Sequence, residues 1–223
     1  MDPEGAPLRP GAAFAALLFL GLTGLLLVLD LRRPGRFLWT LTRPQWRSWL
    51  TRGAYAITAY GLLLTVLLGL GLRGGTPSPP LVGVTAFLAA LTAVYTAFLF
   101  GQAKGRDLWQ SPLLAPHLLV QALVAGATVF APAWLAWLLP VNGLLLASEV
   151  FGRHPTEDGR RAAELIQGAP LFTSGVLAMG HLLPLALLWT APQLNLLASL
   201  LALVGLLAWE HLHVQAPQRM PLA

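Results

Sequence analysis

The residues of this chain able to do chemistry are few, and they stand apart in long apolar stretches. His117 and Gln121 are spaced i, i+4 and so share one face of a helix. An imidazole beside an amide can orient a polar head group, or it can close a hydrogen-bonded pair between helices. Glu149 precedes Arg153 and His154 by one helical turn, which suits a paired or snorkelling acid as well as a proton-handling group. Asp30 ends an apolar run beside Arg32, Arg33 and Arg36, where a salt bridge and a proton carrier are equally compatible with the pattern. Tyr95 and Gln102 are seven apart and fall on one side of their helix. A tyrosine two turns below a membrane surface can donate a hydrogen bond to a ligand carbonyl, or simply pack. His181 stands alone in mid-span and reads as helix glue. Ionisable groups in hydrocarbon are costly, so each of these either works or is held by a partner.

The elements that must position them are membrane spans. Of 223 residues 56% are hydrophobic and 10% charged, against about 25% charged in soluble domains. Apolar runs of ~20 residues, the length that crosses a ~30 Å hydrocarbon core, recur along the chain. The reading is an all-α integral membrane protein, about seven transmembrane helices in a bundle, forming a single transmembrane domain over 1–223. The spans fall at 11–29, 53–72, 81–101, 113–131, 133–150, 170–190 and 194–212. The stretch 113–150 is too long for one crossing at ~1.5 Å per residue, so a hairpin is placed at Ala131-Pro132-Ala133. Ala191-Pro192-Gln193 turns the last hairpin. The polar segment from Gly152 to Gln167 is expected to hold a short interfacial helix from Arg160 to Ile166. The run 11–29 is too long for a signal-peptide core and stops at an arginine cluster, as a retained span does.

Charge and composition exclude several classes. Twelve of the fourteen Lys and Arg residues fall on one side of this topology, six of them in the loop carrying Arg32, Arg33, Arg36, Arg43, Arg47 and Arg52. The positive-inside rule then puts the amino terminus outside and the carboxy terminus in the cytoplasm, in the cell (inner) membrane. The net charge of +5 does not point to nucleic acid, because the basic residues lie in loops between spans and form no separate basic domain. Without cysteine the chain supplies no thiolate for an iron–sulfur cluster or zinc and no covalent haem attachment. No haem is expected either, since His117 and His181 differ in depth and nothing further supports His117 with His211. No metal site is expected. The eight tryptophans mostly sit at span ends, as an aromatic belt requires.

The segment Asp30-Leu31-Arg32-Arg33-Pro34-Gly35-Arg36-Phe37, followed by Ser48-Trp49-Leu50-Thr51-Arg52-Gly53-Ala54, carries a resemblance. So do Tyr95-Thr96-Ala97-Phe98-Leu99, Gln102-Ala103-Lys104-Gly105-Arg106-Asp107-Leu108-Trp109, Ser111-Pro112-Leu113-Leu114, Glu149, Gly180 and Leu183-Pro184. In order and spacing the chain resembles the NrfD-type family, the membrane subunit of polysulfide reductase and related molybdopterin oxidoreductases, over nearly all its length. The tail from Val214 to Leu222 looks like that family's strand-like ending. The family has a further helix before the one ending in Asp30, which supplies polar quinone contacts, where this sequence has ten residues before its first span. Another subunit, His117 with Gln121, or a start codon assigned too late are the open explanations.

The resemblance implies a membrane anchor and quinone-interacting subunit that passes electrons between the quinone pool and an iron–sulfur subunit of a multi-subunit oxidoreductase, and that is not catalytic alone. The quinone, menaquinone or ubiquinone, would be held non-covalently. Tyr95 would contact it, with Gln102, His117 and Gln121 as further quinone-binding residues. Asp30, Arg36, Arg106 and Glu149 would form the polar network. The implied partners are a four-cluster ferredoxin-type iron–sulfur subunit, a molybdopterin catalytic subunit and the lipid bilayer. The six-arginine loop would steer an acidic partner. The rival readings are a small membrane transporter, against which stand the absence of an inverted repeat and the few intramembrane charges, and a structural anchor without a working quinone site.

Overall fold

The structure, a computed structural model, describes residues 10–29, 35 and 37–220. Six helices among the described residues are long and apolar enough to cross a membrane, and a seventh, Leu114–Phe130, is apolar but shorter. The chain is a multi-pass membrane protein with about seven spans, as its apolar runs require. It divides into two compact units, Met1–Leu99 and Phe100–Ala223.

The first unit holds α1 (Pro10–Leu29), α2 (Phe37–Thr42), α3 (Trp49–Leu72) and most of α4 (Pro79–Phe100). α1 packs on α3 along a groove of about 510 Å³ whose walls include Gly21, Gly24, Gly61 and Thr65, small residues that let membrane helices approach. Thr58 and Thr65 donate back to the carbonyls of Ala54 and Gly61 at 2.8 Å, the answer hydrocarbon demands of a hydroxyl. The Tyr55 hydroxyl donates to the Leu41 carbonyl at 2.6 Å and ties α2 to α3. α3 ends where Gly74 takes φ +69°. That left-handed step lets Gly75 N–H reach the Leu70 carbonyl at 2.9 Å and Gly74 N–H the Gly71 carbonyl at 3.1 Å, which closes the helix end.

The second unit holds a 3₁₀ turn (Asp107–Gln110), α5 (Leu114–Phe130), a turn at Pro132–Trp134, α6 (Leu135–Phe151), α7 (Glu157–Gln167), a π-helical stretch (Phe172–Leu182) running into α8 (Leu183–Thr190), a turn at Pro192–Leu194 and α9 (Asn195–Gln218). The two proline turns use one device. Ala131 and Ala191 close the preceding helix onto Ala127 and Leu187, and their own carbonyls accept from Trp134 and Leu194. The proline between them has no N–H to strand. The core runs through Leu146, Val150, Ala162, Ile166, Phe172, Val176 and Trp209, with a second layer at Val124, Leu135, Leu139 and Ala202. The π-helical stretch and α9 meet backbone to backbone, since a Cβ placed on Gly205 would lie 2.1 Å from Gly180 Cα.

Two expectations are corrected here. α7 starts at Glu157 rather than Arg160, because Thr156 Oγ1 accepts from Gly159 N–H at 3.2 Å and two acids occupy the first turn. The tail is not strand-like: α9 stays helical to Gln218 through Pro217.

Candidate functional site

The second unit gathers one polar centre from three helices: His117 and Gln121 on α5, Glu149 on α6, and Trp209, Glu210 and His213 on α9. The α5–α6 hairpin sets the first meeting. His117 stands in the first turn of α5 and Glu149 in the last turn of α6, so an antiparallel pair turning at Pro132 brings them level. His117 Nδ1 lies 2.8 Å from Glu149 Oε2, with side chains 0% and 1% exposed.

The sense of the Gln121 amide is assigned from its neighbours. Its oxygen accepts from Trp209 Nε1 at 2.8 Å and from His117 Nε2 at 3.1 Å, and its nitrogen donates to Glu210 Oε1 at 2.6 Å. An indole N–H can only donate, which fixes the amide, and the amide in turn requires a proton on His117 Nε2. A further proton lies in the Nδ1···Oε2 contact, shared between imidazole and carboxylate. The pair is therefore a hydrogen-bonded acid and base with one proton between them.

Some valences are left over. Among the described residues Glu149 Oε1 has no hydrogen-bond partner, and neither ring nitrogen of His213 has one, although His213 is 2% exposed. The rings of His117 and His213 both lean on Trp209, with centroids 5.5 and 5.3 Å away. Buried polar atoms left unpaired mark places where water or a ligand head group is expected.

Of the residues singled out in the sequence, His117, Gln121 and Glu149 come together. Glu149 does not snorkel to Arg153; it turns inward to the imidazole. Arg106 serves elsewhere in the unit, its Nη1 donating to the carbonyls of Pro217 and Met220 at 2.7 and 2.6 Å. Gln102 lies exposed in the turn after α4. His181 is structural: Nδ1 donates to the Val176 carbonyl at 2.8 Å, leaving Nε2 to accept from Asn142 at 3.1 Å. Tyr95 belongs to the first unit, where it is buried, hydrogen-bonded to the Thr96 side chain, and packed so closely on Gly53 that a Cβ there would come within 2.2 Å of its ring. Asp30 and Arg36 lie outside the described residues. In the arginine loop, Arg43 and Arg52 stack over Trp39 and Trp49, and Arg52 Nε also donates to the Trp46 carbonyl.

Sequence reasoning missed Trp209, Glu210 and His213. Their signal was the i, i+4 spacing of Trp209 and His213 flanking an acid in the last turns of an apolar helix. Among the described residues no group of three or more His, Cys, Asp or Glu is placed to hold a metal ion.

A family model described as polysulphide reductase, NrfD, matches residues 4–144. The match takes in Tyr95, His117 and Gln121; Glu149, Trp209, Glu210 and His213 follow its end. No curated protein and no solved structure matches the chain.

Proposed function

The chain belongs to the NrfD, polysulphide reductase family, and on that premise we propose that it is the membrane anchor through which a multi-subunit oxidoreductase exchanges electrons with membrane quinone. Oxidising a quinol releases two electrons and two protons. A chain without cysteine has no thiolate to ligate a cluster, so the electrons pass to a partner, a four-cluster ferredoxin-type iron–sulfur subunit, and from it to a molybdopterin subunit. Reduction of quinone runs the same steps backwards. Menaquinone and ubiquinone both suit this chemistry.

The observation that carries the reading is the family match, which spans the helices bearing Tyr95 and His117. His117, with Nε2 donating to Gln121 and Nδ1 sharing a proton with Glu149, has no free nitrogen to offer a head group, so the His117–Glu149 pair holds a proton rather than binding the quinone directly. Tyr95, given room by Gly53, offers a phenol to a quinone carbonyl. The basic loops, Arg47 among them, face the cytoplasm in this reading and dock the acidic iron–sulfur partner.

The test is to extract the native assembly in mild detergent, identify what accompanies the chain by mass spectrometry, and follow quinol oxidation spectrophotometrically. A cysteine-rich ferredoxin-type subunit and quinol turnover are expected. In that assembly Tyr95→Phe removes one ligand hydrogen bond worth about 0.5–1.5 kcal/mol and raises the quinol KM roughly two- to tenfold. A chain recovered alone, inert toward quinol, overturns the reading; unchanged turnover by Tyr95→Phe removes Tyr95 from it.

A further inference from the structure

Beside the polar centre lies a cavity of about 270 Å³ walled by the 3₁₀ turn and the loop after α6. Its lining runs from exposed Gln110, Ser148 and Arg153, through half-buried Asp107, Ser111 and His154, to buried Glu149. Glu149 is 4% exposed and has one carboxyl oxygen, Oε2, committed to His117. The other, Oε1, is buried without a partner among the described residues, in a residue that lines this cavity. His154 Nε2, on another part of the same wall, likewise has no partner among the described residues. A space of this size has room for several waters, and Asp107, Glu149 and His154 offer polar partners among the apolar walls of Leu108, Pro112 and Leu113.

We propose that this cavity is a hydrated port through which the Glu149–His117 pair exchanges a proton with the aqueous phase, and that Gln121 ends the relay. A hydronium in the port gives its proton to Glu149 Oε1 and is left as water. The proton in the Oε2···Nδ1 contact then settles on the imidazole, so that the pair holds one proton more. Discharge reverses the step, with water taking the proton from Oε1. Onward transfer stops at His117 Nε2. Its acceptor is an amide oxygen, and the amide nitrogen beyond it donates to Glu210 rather than accepting. The port thus opens on the side of the loop carrying Arg153 and His154. Other charged or titratable groups face the pair: Asp107, Arg153 and His154 from the cavity, Glu210 and His213 from α9, and His181 from the π-helical stretch. Gln121 bridges the pair to Glu210. The inference stands on the cavity and the hydrogen bonds and does not require the quinone reading.

The natural absence of cysteine permits a test on the folded full chain in nanodiscs. Ser111→Cys, with Ser148→Cys as a second site, is treated with a small membrane-impermeant methanethiosulfonate, and then with a bulky one that plugs the cavity. Hydrogen–deuterium exchange at the carboxyl group of Glu149 is followed by infrared spectroscopy, its band assigned by subtracting Glu149→Gln. Both cysteines should react, and the bulky plug should slow exchange by about tenfold or more, a barrier rise of about 1.4 kcal/mol. Failure of both cysteines to react overturns the hydrated port. Reaction without slowing overturns the route. Quinol turnover is measured separately in the native assembly, so failure here leaves the electron-transfer reading standing.

Discussion

The contact between Gly180 and Gly205 can be tested by adding one methyl group. Gly205→Ala would place a Cβ 2.1 Å from Gly180 Cα, 3.1 Å from its nitrogen and 3.2 Å from its carbonyl carbon. Those are backbone atoms of a helix, not the end of a side chain that can swing aside. Ordinary carbon–carbon contact needs about 3.5 Å or more, so the two helices must part by more than about 1 Å along their shared face. Overpacking costs about 1–3 kcal/mol, and a clash with backbone atoms takes the upper part of that range, about 2–3 kcal/mol. Alanine's better helix propensity returns up to about 1 kcal/mol, for a net loss of about 1–2 kcal/mol. At about 2–4 °C per kcal/mol for a chain of this size, the midpoint of thermal unfolding in one fixed detergent should fall by roughly 2–8 °C, read by circular dichroism. Gly126→Ala is the control, since a Cβ there meets nothing within 4 Å, and it should melt as the parent does or slightly later. Gly180→Ala collides with the same neighbour, Gly205 Cα, at 2.5 Å. One separation relieves both clashes, so the double variant should lose less than the two single losses added together. If Gly205→Ala melts with Gly126→Ala, the close approach is not what holds these helices.

Further outcomes follow from the polar centre and the surface helix. His117→Leu strands a buried acid and should cost about 3–5 kcal/mol, most of it recovered in His117→Leu/Glu149→Leu, where no charge is left unpaired; thermal stability in detergent compares the two. Thr156→Ala removes the cap of α7 and should cost about 1 kcal/mol, seen as faster proteolytic nicking between Gly152 and Gly168. The Arg160 guanidinium beside Glu157 holds that carboxyl below its ordinary value of 4.5. A depressed carboxyl contributes stability above its unfolded value and loses it as pH falls through the folded one. The α7 amides should therefore keep their hydrogen-exchange protection above pH 4.5, after correction for intrinsic rates, and lose part of it below; Glu157→Gln should flatten that dependence.

The spans were legible because the bilayer dictates their length and composition, and the prolines at 132 and 192 marked where the crossings turn. The meeting of His117 with Glu149 was legible too, though it was not read: each stands sixteen residues from Ala133, the centre of a hairpin placed correctly. Glu149 was instead matched with Arg153, its neighbour in sequence, because helical spacing is visible along a chain and facing helices are not. The same blindness hid Trp209, Glu210 and His213, whose role depends on which face of α9 turns toward α5. The tail was misread because the carbonyls ending α9 are satisfied by Arg106, more than a hundred residues earlier, and no local pattern announces such a partner.

That clamp has a consequence for the order in which the molecule is made. The loop after α4 is translated more than a hundred residues before the carbonyls it grips. Until α9 has been made, Arg106 has no Pro217 or Met220 to hold, and the loop that walls the cavity lacks its tether. A nascent chain can therefore insert the earlier helices one after another, but it completes this loop only once α9 is in place. Any subunit that recognises the finished loop would thereby distinguish chains with α9 docked from those without it.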